Sequence, residues 1–304
     1  MTTATAAPPA MTSQDWLLLA GLSVPWGCSF LFFKVLGAEL PPLTIALGRV
    51  GIAAAVLAAA LRLARVPAGA LLRRWRGLLT LGVLNNAVPF TLFAWGETQV
   101  PSGTAAICNA LSPVLTVLVL RGAGLSGPLA WNKVAGVLLG FAGVAVLVGP
   151  DALRGGSVLG DLACLGAAVC YALASPTMAG LRGLPPLGVA TGQLVASTLV
   201  LLPVAAVVDR PWTLPMPSAT AWGAMAGLSL LSTALSYAIY FRLVSRAGPA
   251  NALLVTFVIP VTALALGSLV LHEPVTPSAA GGGAVILAGL ALLDGRWLPR
   301  LRSA

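Results

Sequence analysis

Leu40-Pro41-Pro42-Leu43-Thr44-Ile45-Ala46-Leu47-Gly48-Arg49 recurs 144 residues later as Leu184-Pro185-Pro186-Leu187-Gly188-Val189-Ala190-Thr191-Gly192-Gln193. Two prolines ahead of an apolar run mark the opening of a helix, because proline fits the first helical turn and is excluded from the interior. The same opening twice in one chain points to internal duplication. Further along, the match settles at a shift of 147, which pairs Trp75 with Trp222, Phe90 with Tyr237, Phe93 with Tyr240 and Pro113 with Pro260. Toward the ends of the two copies, Gly136 and Gly143 meet Gly282 and Gly289.

The runs that follow these openings are too apolar for water. Of 304 residues, 58% are hydrophobic and 8% charged, and the mean hydropathy is +0.97. A soluble domain carries about 25% charged residues, so this chain cannot coat a soluble surface. Unbroken apolar runs favour helices over a β-barrel, whose strands alternate polar and apolar residues. The fold class expected is therefore all-α: a polytopic membrane protein with ten transmembrane helices. A helix needs roughly 20 apolar residues to span the bilayer. Cutting at charges and Pro/Gly clusters places the ten near 16–35, 43–63, 76–96, 101–120, 130–149, 159–178, 187–208, 220–241, 248–271 and 277–294.

Orientation follows from Lys and Arg. Thirteen of the 17 basic residues fall on the side of the N-terminus, while Lys34, Arg154 and Arg210 fall on the other and Arg49 lies within a span. Both termini are expected in the cytoplasm. The net charge of +9 belongs to these loops and implies no nucleic acid. Residues 1–15 form a short cytoplasmic tail without the basic start of a signal peptide, and 295–304 form a second tail. The copies cover 16–149 and 159–294, five helices each. An odd number of helices forces the second copy to enter the membrane from the opposite side. Inverted repeats of this kind are characteristic of secondary transporters that alternate access to a site between the halves.

Arg49 is the clearest charge inside a span, and buried charges in membranes mark pathways or ion pairs. Its counterpart, Gln193, is neutral. Lys34, at the end of the first run, is expected to snorkel to the interface. Amides, hydroxyls and rings suited to a zwitterion with an apolar side chain come from Trp26, Ser29, Phe30, Asn85, Asn86, Phe90, Asn109 and Tyr171, and from Ser236, Tyr237, Tyr240 and Asn251. Thr104, Ser175 and Thr256 are further polar positions. Pro25, Pro89, Pro113 and Pro260 are expected helix bends. Gly136-x-x-x-Gly140 and glycines 281–283 suit close helix packing, within the chain or at a dimer face.

Carboxylates are missing from mid-span: Glu39, Glu97, Asp151, Asp161, Asp209, Glu273 and Asp294 lie at ends or in loops. Tight proton coupling therefore lacks its usual carrier, with Glu97 and Asp161 the nearest substitutes, and a facilitator is the corresponding expectation. No phosphate loop or catalytic constellation is present, so the chain reads as a non-enzyme with no cofactor and no metal. The four cysteines sit in apolar runs at no metal-ligand spacing.

Val24-Pro25-Trp26-Gly27-Cys28-Ser29-Phe30 resembles the Trp-Gly-x-Ser-Phe signature of the drug/metabolite transporter superfamily, EamA-type branch. Pro42-Leu43 through Arg49, Asn85-Asn86-Ala87-Val88-Pro89-Phe90, Gly103-Thr104-Ala105-Ala106-Ile107-Cys108-Asn109-Ala110 and Pro113 also resemble that family's pattern. His272-Glu273-Pro274-Val275-Thr276 is similar to its Gly-Glu-x-x-Thr element, with His272 in place of glycine; Arg121 to Ser126 stand there in the first half. The resemblance implies an inner-membrane carrier that exports amino acids or related metabolites, similar to aromatic amino acid and methyl viologen exporters. Its partners would be a small-molecule substrate and the lipid bilayer, with the carrier a monomer or homodimer. Efflux of drugs or cationic compounds, and a non-transporting scaffold or sensor, are the alternatives.

Overall fold

The computed structural model describes residues 11–66, 69–126, 130–154, 157–181, 183–247, 249–252 and 254–294. Among these the chain is helical throughout, with no strand. The long elements are α1 (Ser13–Gly37), α2 (Pro42–Leu63), α3 (Trp75–Gly96), α4 (Ser102–Gly122), α5 (Trp131–Arg154), α6 (Val158–Gly180), α7 (Pro186–Val208), α8 (Ala219–Ala247), α9 (Val255–Leu271) and α10 (Pro277–Asp294). Eight of them, α1 to α8, are long and apolar enough to cross a membrane; α9 and α10 are shorter apolar helices. Leu17, Leu63, Leu138, Leu199, Val207 and Leu269 are all exposed. An apolar outer surface of this kind is what lipid solvates and water does not.

Helix ends differ from the sequence expectation where local chemistry intervenes. α1 starts at Ser13, inside the expected tail, because Thr12 and Asp15 form a capping box: Asp15 Oδ2 accepts from Thr12 N at 3.0 Å and Thr12 Oγ1 accepts from Asp15 N at 3.4 Å. The expected run 248–271 is divided into Pro249–Ala252 and α9. Arg154, expected in a loop, ends α5. Residues 1–10, Arg182 and the tail 295–304, with Arg296, Arg300 and Arg302, lie outside the described residues.

Among the sequence-matched helix pairs, α2/α7 and α5/α10 pack directly and run antiparallel. Thr44 of α2 meets Asp209 just past α7, while Thr191 near the start of α7 meets Leu57 near the end of α2. On the other side of the bundle, a Cβ on Gly136 would stand 2.7 Å from the Gly289 carbonyl, and one on Gly143 would stand 2.8 Å from that of Gly282. The glycines therefore let the backbones of α5 and α10 touch, as small residues do between membrane helices. This contact occupies the glycine stripe within the chain.

Both α3 and α8 widen into a π-helical turn, at Val83–Ala87 and Gly227–Leu235. These positions correspond under the 147-residue shift. Proline explains the first: Pro89 has no N–H for the Asn85 carbonyl, and the helix passes that point by bonding Val88 N–H to the Val83 carbonyl, five residues back. In α8 hydroxyls serve the widened turn instead. Thr233 Oγ1 donates to the Leu228 carbonyl at 2.8 Å and Ser236 Oγ to that of Leu231 at 3.0 Å. The helix is unbroken through Pro25 and Pro260, whereas Pro113 follows a break in α4 at Ala110 and Leu111.

Candidate functional site

The widened turns face α2 and α7 at the middle of the bundle. Arg49 is 6% exposed, and its guanidinium stays in the protein rather than reaching an interface. Its Nε donates to Thr233 Oγ1 at 3.0 Å, and Nη2 lies 3.5 Å from Ser29 Oγ. The guanidinium carbon stands 3.6 Å from the centre of the Phe90 ring and 5.1 Å from that of Phe33. Such stacking holds a cation in a desolvated site. Among the described residues no carboxylate lies within ion-pair distance of Arg49; the two ion pairs there are Lys34–Glu273 and Arg246–Asp15.

Gln193, 1% exposed, anchors the other half of the cluster. Its Oε1 accepts from Asn85 Nδ2 at 3.1 Å, and its Nε2 donates to the Tyr237 hydroxyl at 3.2 Å. The Tyr237 hydroxyl in turn donates to Asn86 Oδ1 at 3.2 Å. Among the described residues, buried Asn86 Nδ2 has no hydrogen-bond partner, and neither has Ser232 Oγ. Orphaned buried donors of this kind are rare in folded proteins and call for an account. Beside the cluster, Phe93 packs edge-on against Phe30 (5.5 Å between centroids) and against Tyr171 (6.2 Å), and Trp26 packs against Tyr240 (5.7 Å).

Of the candidates named from sequence, Ser29, Arg49, Asn85, Asn86, Phe90, Gln193 and Tyr237 thus converge, and Phe30, Tyr171, Trp26 and Tyr240 form ring contacts around them. Others make local bonds. Ser236 Oγ donates to the Leu231 carbonyl of its own helix, and Asn251 Nδ2 donates to the Ala247 carbonyl at the end of α8 at 2.7 Å; Asn109 stands at the break in α4, where its main-chain carbonyl receives Ser112 Oγ at 2.7 Å. Two members of the cluster escaped the sequence reading. Thr233 is the counterpart of Asn86 at the 147-residue shift, a polar-for-polar match that could have found it. Phe33 had no such signal.

Polar groups also close both ends of the bundle. Lys34 is partly exposed: Nζ donates to the carbonyls of Glu97 (2.8 Å) and Val100 (3.0 Å) and stands 3.9 Å from Glu273 Oε1. Glu273 Oε2 accepts from Ser102 N at 3.0 Å and Ser102 Oγ at 2.6 Å, which caps α4. His272 holds the left-handed conformation, φ 56°, that its turn requires and that glycine adopts without cost. Thr276 Oγ1 accepts from Ala279 N at 3.1 Å and caps α10. At the opposite end Arg246 pairs with Asp15 at 2.9 Å and reaches Gln14 Oε1.

A buried polar centre inside a bundle of apolar helices, with an ion pair toward each end, is the architecture of a polytopic membrane protein. Residues 15–149 and 158–293 each match the EamA-like transporter family, and the chain belongs to that family. It is 30% identical to the uncharacterized transporter YvbV of Bacillus subtilis over 91% of this chain and 90% of that one. It is also 30% identical to a probable terminal-alkyne amino-acid exporter of Streptantibioticus cattleyicolor, over 82% of this chain and 84% of the relative. The uncharacterized inner membrane transporter YedA of Escherichia coli K12 is 28% identical over 82% of this chain and 80% of its own. A solved crystal structure superposes with a TM-score of 0.64 at 23% identity, over 93% of this chain and 98% of that one, a likeness in fold alone.

Proposed function

We propose that this chain exports amino acids or closely related metabolites across the bacterial inner membrane by alternating access. In this reading all ten long helices cross the bilayer, both termini face the cytoplasm, and residues 16–149 and 159–294 are inverted repeats around one central site. The antiparallel packing of the matched pairs α2/α7 and α5/α10 supports the inversion. The basic residues of the α2–α3 segment support the orientation.

One observation carries the substrate class: among the described residues Arg49 is a buried cation with no carboxylate within ion-pair distance, and the orphaned Asn86 Nδ2 lies in the same cluster. Both are donors. A buried charge left alone is strongly unfavourable, and a substrate carboxylate would supply what is missing. Phe30, Phe33, Phe90 and Phe93 would then face an apolar side chain, and the cationic centre disfavours cationic drugs. The exporter from S. cattleyicolor is consistent with an amino-acid substrate.

The test is exchange of a panel of labelled neutral amino acids into proteoliposomes of wild-type and Arg49→Ala protein. At least one amino acid should exchange saturably. Losing the charge-assisted contact to its carboxylate should cost about 3 kcal/mol of binding, roughly a hundredfold in affinity, while monodisperse folded protein is retained. Exchange of no amino acid would remove the substrate class. A parallel loss of folded protein and of transport would make Arg49 structural.

A further inference from the structure

Seen along the sequence, Glu97 merely ends a helix. In the fold it continues the buried face of α3 that carries Phe90 and Phe93, at helical spacings of three and four residues. It is 1% exposed, and neither carboxyl oxygen accepts a hydrogen bond. Lys34, the cation at this end, donates to the main-chain carbonyls of Glu97 and Val100, and its ion pair is with Glu273. The other charged or titratable groups facing Glu97 and the cysteines beside it are Arg49 on α2, Cys108 on α4, and Asp161 and Cys164 on α6. α6 packs hard against this spot, since a Cβ on Gly96 would stand 2.7 Å from Cys164 Sγ and 3.0 Å from the Gly160 carbonyl.

A carboxylate sealed in without a donor is unfavourable, and the neutral acid is the form that such a site accepts. We infer that Glu97 is the proton-carrying group of the carrier, loaded from the external water when that end opens and unloaded to the cytoplasm. The inference rests on the transport reading and its orientation, and it replaces the facilitator expected from the absence of mid-span carboxylates. With the external end open, a hydronium ion gives its proton to a Glu97 oxygen and leaves as water. The Lys34–Glu273–Ser102 ties then close over an uncharged acid. When the cytoplasmic end opens, the O–H bond breaks, the proton passes to water there, and the carboxylate remains. A proton thus moves inward as substrate moves outward.

Two assays on the full-length protein decide this. In proteoliposomes with the same amino-acid panel, Glu97→Gln, an isostere of the neutral acid, should keep exchange at equal pH and lose accumulation driven by a pH gradient. Glu97→Asp should restore accumulation with a displaced pH profile. Gradient-driven accumulation by Glu97→Gln would overturn the inference. If wild type exchanges none of the panel, the substrate reading fails, and infrared spectra of purified protein still test the proton. Wild type should show a protonated-carboxyl band at neutral pH that Glu97→Gln lacks and Glu97→Asp shifts. An identical band in all three, or none in wild type, would overturn the inference as well.

Discussion

Arg49 and Gln193 hold matched positions on two helices that pack antiparallel, yet their surroundings meet opposite requirements. Gln193 is satisfied at both ends of its amide, by Asn85 and by Tyr237. Arg49 has five N–H donors, but its bonds to Thr233 and to Ser29, the latter long at 3.5 Å, employ only two of them. Phe90 stacks on Arg49, whereas its counterpart Tyr237 adds a hydroxyl and uses it to link Gln193 to Asn86. In one copy the amide at this position is paired at both ends, and in the other the guanidinium keeps unused donors beside aromatic rings. Duplication supplies the frame, and the divergence of two side chains separates a brace from the proposed binding site.

The harshest way to break this comparison is to make the braced half resemble the open one. Gln193→Arg would place a second cation in a site that is 1% exposed, beside the first, and would discard the bonds to Asn85 and Tyr237. An uncompensated buried charge costs about 3–5 kcal/mol, enough to abolish most folded protein. Size-exclusion profiles and thermal unfolding of the purified variant would read this directly. A monodisperse Gln193→Arg protein with an unchanged midpoint would mean that the second half also has room for a charge, and the contrast would fail.

A gentler change sharpens the comparison. Tyr237→Phe makes the second half match Phe90 and removes only a hydroxyl. Gln193 Nε2 and Asn86 Oδ1 then lose their shared partner. Leaving buried polar groups unsatisfied costs roughly 1–3 kcal/mol, so the unfolding midpoint should fall while the protein still folds. Phe90→Tyr at the matched position serves as the control, because Arg49 already has its ring. An equal fall for both variants would show that the two aromatic positions play the same part.

How far the sequence revealed this centre depends on the kind of signal. The duplication, the apolar runs and the pairing of Arg49 with Gln193 are written in residue type, and they survive folding. The π-helical turns are not, because widening a turn leaves the apolar character of the run unchanged. Only Pro89 hints at the first of them, and Ser236 stands at the equivalent position in the second. Phe33 joins Arg49 by an accident of helix crossing that no spacing rule encodes. The burial of Glu97 was hidden for a related reason: it stands at a helix end, where sequence suggests solvent, yet it is 1% exposed. Tertiary contact buries this group, and hydropathy has no access to tertiary contact.

The smallest effect lies at the rim, where the α1–α2 and α7–α8 connections meet. Asp209 accepts from Thr44 N at 2.7 Å and Oγ1 at 2.9 Å at the start of α2, while Glu39, just before α2, accepts from Ser218 N at 2.7 Å and from its hydroxyl ahead of α8. Ser218 itself caps α8 by accepting from Ala221 N at 3.1 Å. The hydrogen bonds from Ser218 hold the Glu39 carboxyl below its ordinary value. A carboxyl depressed in the folded state adds stability above its unfolded pKa and loses it as pH falls through the folded one. Wild type should therefore exceed Glu39→Gln in unfolding midpoint at neutral pH by a small margin, and the two should converge in acid. The margin is small because Glu39 is solvated, and water competes for the same oxygens. An offset that persists unchanged into acid would mean that shape rather than charge makes this cap. The Glu39 contact would then be as indifferent to ionisation as the Gln193 brace, which would leave Arg49 as the point in the comparison where charge sets the two halves apart.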